Sequence, residues 1–342
     1  MEPMPDAVPP SAAPLTDRFD RVHRDLRISL TDRCSLRCTY CMPEQGVPWL
    51  AKTTMLSTDE LLRLTAVAVS LGITEVRLTG GEPLLRRDIV DVVAGIAALE
   101  GPAGPVEVSM TTNALGLDKT ANALAEAGLA RVNISLDTLQ TATFRHMARR
   151  DRLDDTLTGI RAAADAGLTP VKLNTVLLRG VNDHEAVDLL GFALEHGYQL
   201  RFIEQMPLDA GHTWHRDSMV TGEEIHARLG EVYELTPVTG RGSAPAELFH
   251  VDGGPATVGV IASVTAPFCG ACDRVRLTAD GQLRNCLFAT GESDLRTPLR
   301  AGAGDDELAE VFRASIGAKL PGHGINEPGF LQPPRPMSAI GG

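Results

Sequence analysis

Along the first two-thirds of the chain one pattern repeats: a short β-rich run, a loop, then an amphipathic segment of helical period that ends near a glycine. The runs predict strands at 26–30, 74–79, 106–111, 131–135, 170–177 and 198–203, with helices near 58–71, 87–99, 118–127, 154–166 and 183–196. Ser57 with Glu60 has capping-box spacing, and Gly72, Gly128, Gly167 and Gly197 stand where helix C-caps belong. Such alternation gives a parallel sheet covered by helices. Eight units would close a TIM barrel and six are present, so the expected fold is α/β, an open partial (β/α)6 TIM-like barrel, with a doubly wound sheet as the alternative.

From about 207 the texture changes to shorter β-like runs at 231–239, 246–252, 256–263, 273–279 and 282–287, with Asp280-Gly281 read as a two-residue hairpin turn. A helix near 305–318 and a Gly/Pro-rich tail follow. The expected organisation is a disordered tail over 1–17, a barrel over 18–206, a smaller C-terminal α+β subdomain over 207–330 and a terminal tail over 331–342.

The unusual residues gather after the strands. A cysteine loop follows the first, Thr79-Gly-Gly-Glu-Pro83 the second, Thr111-Thr-Asn113 the third, Ser135-Leu-Asp137 the fourth and Glu204-Gln-Met206 the sixth. Barrel-like folds build their active sites at that end of the sheet.

Composition narrows the function. The chain has 342 residues, 43% of them apolar, enough for substantial cores. No apolar stretch approaches the ~18 residues of a membrane span, and the start of the chain lacks the parts of an export signal, so a cytoplasmic protein is expected. In a reducing compartment the six cysteines, grouped three near 38 and three near 272, read as metal ligands. A net charge of −12 and 4% aromatic residues argue against nucleic-acid binding. The same charge requires local cations wherever an anionic ligand binds.

Cys34-Ser-Leu-Arg-Cys38-Thr-Tyr-Cys41 is the sharpest motif. Three thiolates on a four-iron cubane leave one iron open to an outside ligand. The plainer alternative, structural zinc, wants four ligands, and no fourth Cys or His is near in sequence. Gly80-Gly81 allows close approach of a ligand to the backbone, and Ser135 and Asp137 could serve a ribose or carboxylate or cap the next helix. Cys269-Gly-Ala-Cys272 with Cys286 fits either a zinc ribbon or a second three-cysteine cluster. Arg274 and Arg276 alternate on the following strand and share a face, the arrangement of a phosphate clamp. Arg27, Arg77, Lys172 and Arg201 lie within barrel strands, where a cation needs an anionic partner. The terminal Gly341-Gly342 is either a frayed end or a thin tail that threads into a site. The second reading sets Gly341 and Gly342 beside Arg274 and Arg276 as residues expected to act in catalysis.

The two cysteine groups, GGEP, TTN, N-x-S-L-D, V-K-x-N-T-V, R-F-I-E-x-M, F-C-x-x-C-x-R-x-R and the final Gly-Gly together resemble the molybdenum cofactor biosynthesis protein A family of radical S-adenosylmethionine enzymes, over about residues 18–342. The resemblance implies a [4Fe–4S] cluster on Cys34, Cys38 and Cys41 that reduces S-adenosylmethionine, with Tyr40, Gly81, Ser135 and Met206 contacting that cofactor. It implies a second [4Fe–4S] cluster on Cys269, Cys272 and Cys286, and GTP held by Arg27, Arg77, Thr111, Lys172, Arg274 and Arg276. Arg201 is added from its strand position alone. The implied reaction is cyclisation of GTP, with a reductant protein and cyclic pyranopterin monophosphate synthase as partners and a homodimer as one assembly. Ala114 departs from the family pattern, which usually has Gly there.

Two other classes fit parts of the sequence. A radical enzyme acting on a peptide would share the first motif but would not need so many cations, and a structural zinc protein would use both cysteine groups without chemistry.

Overall fold

The computed structural model describes residues 14–341. Residues 1–13 and Gly342 lie outside that range. The expected tail over 1–17 therefore falls mostly outside it, but Leu15 is buried and its N–H donates to Leu71 O at 3.0 Å, so order begins before residue 17.

Six strand–helix units run as expected. They comprise β1 (Asp25–Ser29), α1 (Thr58–Ser70), β2 (Glu75–Thr79), α2 (Ile89–Ala97), a small hairpin β3 (Glu100–Gly101) and β4 (Gly104–Pro105), β5 (Glu107–Thr112), α3 (Ala121–Glu126) and β6 (Leu129–Ser135). Helices α4 (Thr141–Ala148) and α5 (Leu153–Asp165), β7 (Lys172–Val176), α6 (Ala186–His196) and β8 (Gln199–Ile203) complete them. The Ser57–Glu60 capping box forms, and the four cap glycines all take positive φ. Helix α4 was not foreseen.

Alternation within each strand decides what goes where. In β1, Leu26 and Ile28 are fully buried against the helices, while Asp25, Arg27 and Ser29 take the opposite face. The same division holds for Val76 and Leu78 in β2, Val132 and Ile134 in β6, and Leu200 and Phe202 in β8, all fully or almost fully buried. The hydrophobic core thus lies between sheet and helices. The inside of the barrel, apolar in a closed TIM barrel, is here polar and available for a site.

The remainder does not form a detached unit. After α7 (Gly222–Gly230) come β9 (Leu235–Pro237), β10 (Glu247–Val251), β11 (Thr257–Ile261), β12 (Arg274–Leu277), β13 (Gln282–Arg284) and β14 (Ser293–Asp294), then α8 (Arg296–Arg300), α9 (Asp305–Gly317) and α10 (Met337–Ile340). Strand β11 pairs in parallel with β8 and β12 in parallel with β1, so the C-terminal third extends both edges of the barrel sheet. The antiparallel partners β10–β9 and β13–β14 flank these, giving one open twelve-stranded sheet. The β12–β13 turn spans Thr278 to Gly281, not two residues: Gly281 N–H donates to Thr278 O and Thr278 N–H to Gln282 O, both at 2.9 Å.

Candidate active site

Register places the arginines. Arg276, Arg27 and Arg77 are paired neighbours on β12, β1 and β2, and Arg274, Asp25 and Glu75 form the rung before them. Arg27, Arg77, Arg201, Arg274 and Arg276 line one cavity of about 1000 Å³, including its open mouth, at the C-terminal end of the strands. Cys269, Cys272 and Cys286 line the same cavity, with Thr111 and Met206. Among the described residues no carboxylate lines it. Asp25, just beneath, is a counter-charge, 3.6 Å from Arg27, 3.8 Å from Arg274 and 4.0 Å from Arg77. Burial pushes the Asp25 carboxyl up, but Arg27, Arg77 and Arg274 outweigh it and hold it below its ordinary value.

Among the described residues, five guanidiniums face one carboxylate, a positive excess in a low-dielectric cavity. Burial lowers Arg201 to about 9 and Arg276 to about 10 and lowers Arg27 well below its ordinary value, the neighbouring arginines adding to the effect. The Nε atoms of Arg27, Arg201 and Arg274 and one oxygen of Asp25 have no hydrogen-bond partner among the described residues. Such a site fits a multiply charged anion that accepts forked hydrogen bonds. Lys172 faces the same side of the sheet but stands outside the cavity wall, where Asn174 takes its place. Burial and the charges of Arg201, Arg131 and Arg77 lower Lys172 to about 8.

A second cavity of about 910 Å³ adjoins the first, sharing Thr111 and Met337 with it. Cys34, Cys38, Cys41, Tyr40, Gly81 and Ser135 line it. Met206, expected here, belongs to the arginine-lined cavity. Tyr40 OH donates to Asp137 at 2.7 Å and Val176 N–H donates to the other Asp137 oxygen at 2.9 Å, so Asp137 does not cap the next helix. The glycine pair has a reason beyond ligand access: a Cβ on Gly81 would lie 2.2 Å from Arg33 O, because the Gly80-Gly81-Glu82 turn packs on the cysteine loop through Gly81 N–H to Thr31 O at 2.7 Å. Glu82 then accepts from Thr112 Oγ1 and Asn113 N–H, both at 2.7 Å, tying the third loop to the second.

Both cysteine sets fit iron–sulfur clusters on the chemistry of their donors. All six thiols are free. Burial raises Cys34 to about 11, Arg37 only partly opposing it, raises Cys41 to about 12, and raises Cys38 well above its ordinary value, so a bound metal cation is what would favour their thiolates. At the other set, burial opposes ionisation of Cys272 but Lys319 and Arg274, each with a nitrogen 3.7 Å from the sulfur, outweigh it. Among the described residues no three His, Cys, Asp or Glu side chains converge as closely as one ion requires. Cluster ligands bind separate irons and stand farther apart.

Sequence reading missed Asp25, Asn174, Lys319 and Phe268, over whose ring Arg274 lies at 5.0 Å. Asp25 was legible in principle, two residues before Arg27 on the same face. Lys319, contributed by the chain after α9, carried no signal. Gly341, by contrast, is where a threading tail would be: Arg276 donates to its carbonyl oxygen, and a Cβ on it would lie 2.2 Å from Thr79 Oγ1.

Residues 28–193 match the radical SAM superfamily and 198–325 match Molybdenum Cofactor Synthesis C. The fold also resembles Streptococcus suis SuiB bound to precursor peptide SuiA, with a TM-score of 0.61 at 14% identity, over 88% of this chain and 69% of that one. These define a radical SAM enzyme fold. The chain is 59% identical over 331 residues to GTP 3′,8-cyclase of Streptomyces coelicolor, covering 96% of each chain. It is 55% identical over 341 residues to GTP 3′,8-cyclase 2 of Mycobacterium tuberculosis strain H37Rv, covering 98% of this chain and 94% of that one. The chain belongs to the GTP 3′,8-cyclase family.

Proposed function

We infer that this chain cyclises GTP to (8S)-3′,8-cyclo-7,8-dihydroguanosine 5′-triphosphate, an early step in making the molybdenum cofactor. The observation that carries the reading is the adjacency of the two cavities, one built on Cys34, Cys38 and Cys41, the other combining a second cysteine set with five arginines. Cys34, Cys38 and Cys41 would hold a [4Fe–4S] cluster which, with S-adenosylmethionine and electrons from a reductant, would supply the one-electron chemistry for removing hydrogen from C3′ of GTP; closure of C3′ onto C8 would then need one further electron and a proton.

The protein's own part is to bind, orient and exclude. Arg27, Arg77, Arg201, Arg274 and Arg276 surround the triphosphate and neutralise it. Cys269, Cys272 and Cys286 would hold a second [4Fe–4S] cluster, which would supply a binding point for the guanine at this end of the cavity. Tyr40, fixed by Asp137, and the backbone at Gly81 with Ser135 orient the cofactor. Thr111, on the boundary, faces both ligands, and Lys172 adds positive field from below. Many anchors on one substrate are what a short-range hydrogen transfer demands.

A reductant protein supplies the electrons, and cyclic pyranopterin monophosphate synthase consumes the product. No described helix is long and apolar enough to cross a membrane, in keeping with a cytoplasmic enzyme. Anaerobic reconstitution followed by incubation with GTP, S-adenosylmethionine and dithionite tests the reading. About eight irons per chain and a cyclised GTP product support it. About four irons with zinc at the second set would remove the role given to that set.

A further inference from the structure

One hairpin holds the C-terminal segment at both ends. Arg335 makes a two-point ion pair with Asp280 in the β12–β13 turn, at 2.9 and 2.8 Å, and its Nε lies 2.7 Å from Glu292. Glu292 is bound in turn by Arg284 of β13 at 2.5 Å, through a guanidinium-bearing side chain with no exposed surface. At the far end, Arg276 of β12 donates to Gly341 O.

The chain between these points is threaded through the site. Met337 N–H donates to Leu208 O at 2.9 Å, and Ile340, fully buried, packs in a small core with Leu208, Val264 and Phe288. The Ser338 backbone N–H faces the Cys41 sulfur. Met337 lines both cavities, so this short segment is part of the partition between them.

An isolated exposed ion pair holds little. Arg335 differs, because a forked pair and a third contact tie it to a mostly buried network that is continuous with the strand bearing Arg276. We propose that Arg335 is a positioning residue: clamped to Asp280 and Glu292, it sets Met337 as the wall between the two cavities and delivers Gly341 to Arg276. This rests on reading the cavities as cofactor and substrate sites. With the clamp released, the wall loosens, the cavities open to each other and to solvent, and hydrogen abstraction loses its coupling to ring closure.

The test uses the full-length reconstituted protein, as wild type, Arg335→Gln and Asp280→Asn. Amide exchange over 336–341 is measured alongside the ratio of 5′-deoxyadenosine released to cyclised product. Both variants are expected to keep their iron and to bind S-adenosylmethionine normally. Their exchange over 336–341 should rise about tenfold or more, and the ratio should rise severalfold. Unchanged exchange in both variants overturns the clamp. Faster exchange with an unchanged ratio overturns the wall. A wild type that makes no cyclised product counts against the functional reading instead, and the exchange measurement then decides the clamp by itself.

Discussion

Arg276 donates a hydrogen bond to the main-chain oxygen of Gly341, bringing the C-terminal end of the chain against the cavity wall that carries the arginines. Ser29 and Thr79 crowd Gly341 so closely that any side chain there would collide. Deleting Gly341 and Gly342 is expected to leave both clusters and S-adenosylmethionine cleavage intact while cyclised product falls sharply. Product formed at the wild-type rate would make the tail an ordinary terminus.

The arginine set predicts a graded loss of substrate. Replacing Arg201, Arg274 or Arg276 by Ala should each weaken GTP binding by roughly 1.5–3 kcal/mol, the range for a hydrogen bond to a charged group. Equilibrium binding of GTP to reconstituted enzyme without S-adenosylmethionine measures this. Affinity unchanged in all three would place the triphosphate elsewhere.

The sequence carried most of this site because its signals were local. Strand position, cysteine spacing and the alternation of Arg274 with Arg276 each need only a few adjacent residues. What escaped depends on distant pairing. Nothing near residue 257 or 274 says that β11 and β12 join opposite edges of the barrel, since β12 pairs with β1 only through a contact as distant in sequence as Asp25 with Arg274. Met206 comes soon after the β8 end at Ile203 and reads like the other loop residues, yet it lines the arginine cavity. Lys172 sits on the right face, and only the depth of the cavity separates it from Asn174.

His23 predicts a pH dependence of stability. Its ring is fully buried, and Nε2 lies 2.9 Å from the Lys319 ammonium, for which it must be the neutral acceptor. Burial first, and then the Lys319 charge, lower its pKa to about 4, against 6.5 for a free side chain. With the folded value depressed, the stability His23 contributes is present above 6.5 and is lost as pH falls toward 4. The loss is of the order of a few kcal/mol. Denaturant unfolding at pH 7 and pH 5 should show a smaller difference in His23→Gln, which keeps an acceptor but cannot gain the charge. An unchanged difference would assign the acid sensitivity to other groups.

Ala114, the departure from the family pattern, takes a left-handed φ of 64° and is fully buried. That conformation costs an alanine about 1–2 kcal/mol. Glycine would avoid it but lose about 0.8 kcal/mol of methyl burial and about 0.5–1 kcal/mol of chain entropy. The terms nearly cancel, so Ala114→Gly should shift stability by about 1 kcal/mol or less. Gly159→Ala should not be tolerated, because its Cβ would stand 2.2 Å from Ala114 O, a backbone atom that cannot swing away. A loss of about 2 kcal/mol or more is expected from such overpacking. Equal stability of the two variants would refute this account of the loop.

The central claim is that a radical formed beside Cys34, Cys38 and Cys41 reaches C3′ of a GTP held in the arginine-lined cavity. The most direct measurement is turnover of GTP deuterated at C3′ by the reconstituted enzyme, with mass analysis of the 5′-deoxyadenosine released. The account predicts that one deuterium appears in 5′-deoxyadenosine and that the label fades when Arg274 and Arg276 are both replaced by Ala. Cleavage of S-adenosylmethionine in the presence of the labelled GTP, with no deuterium in the 5′-deoxyadenosine, would contradict it.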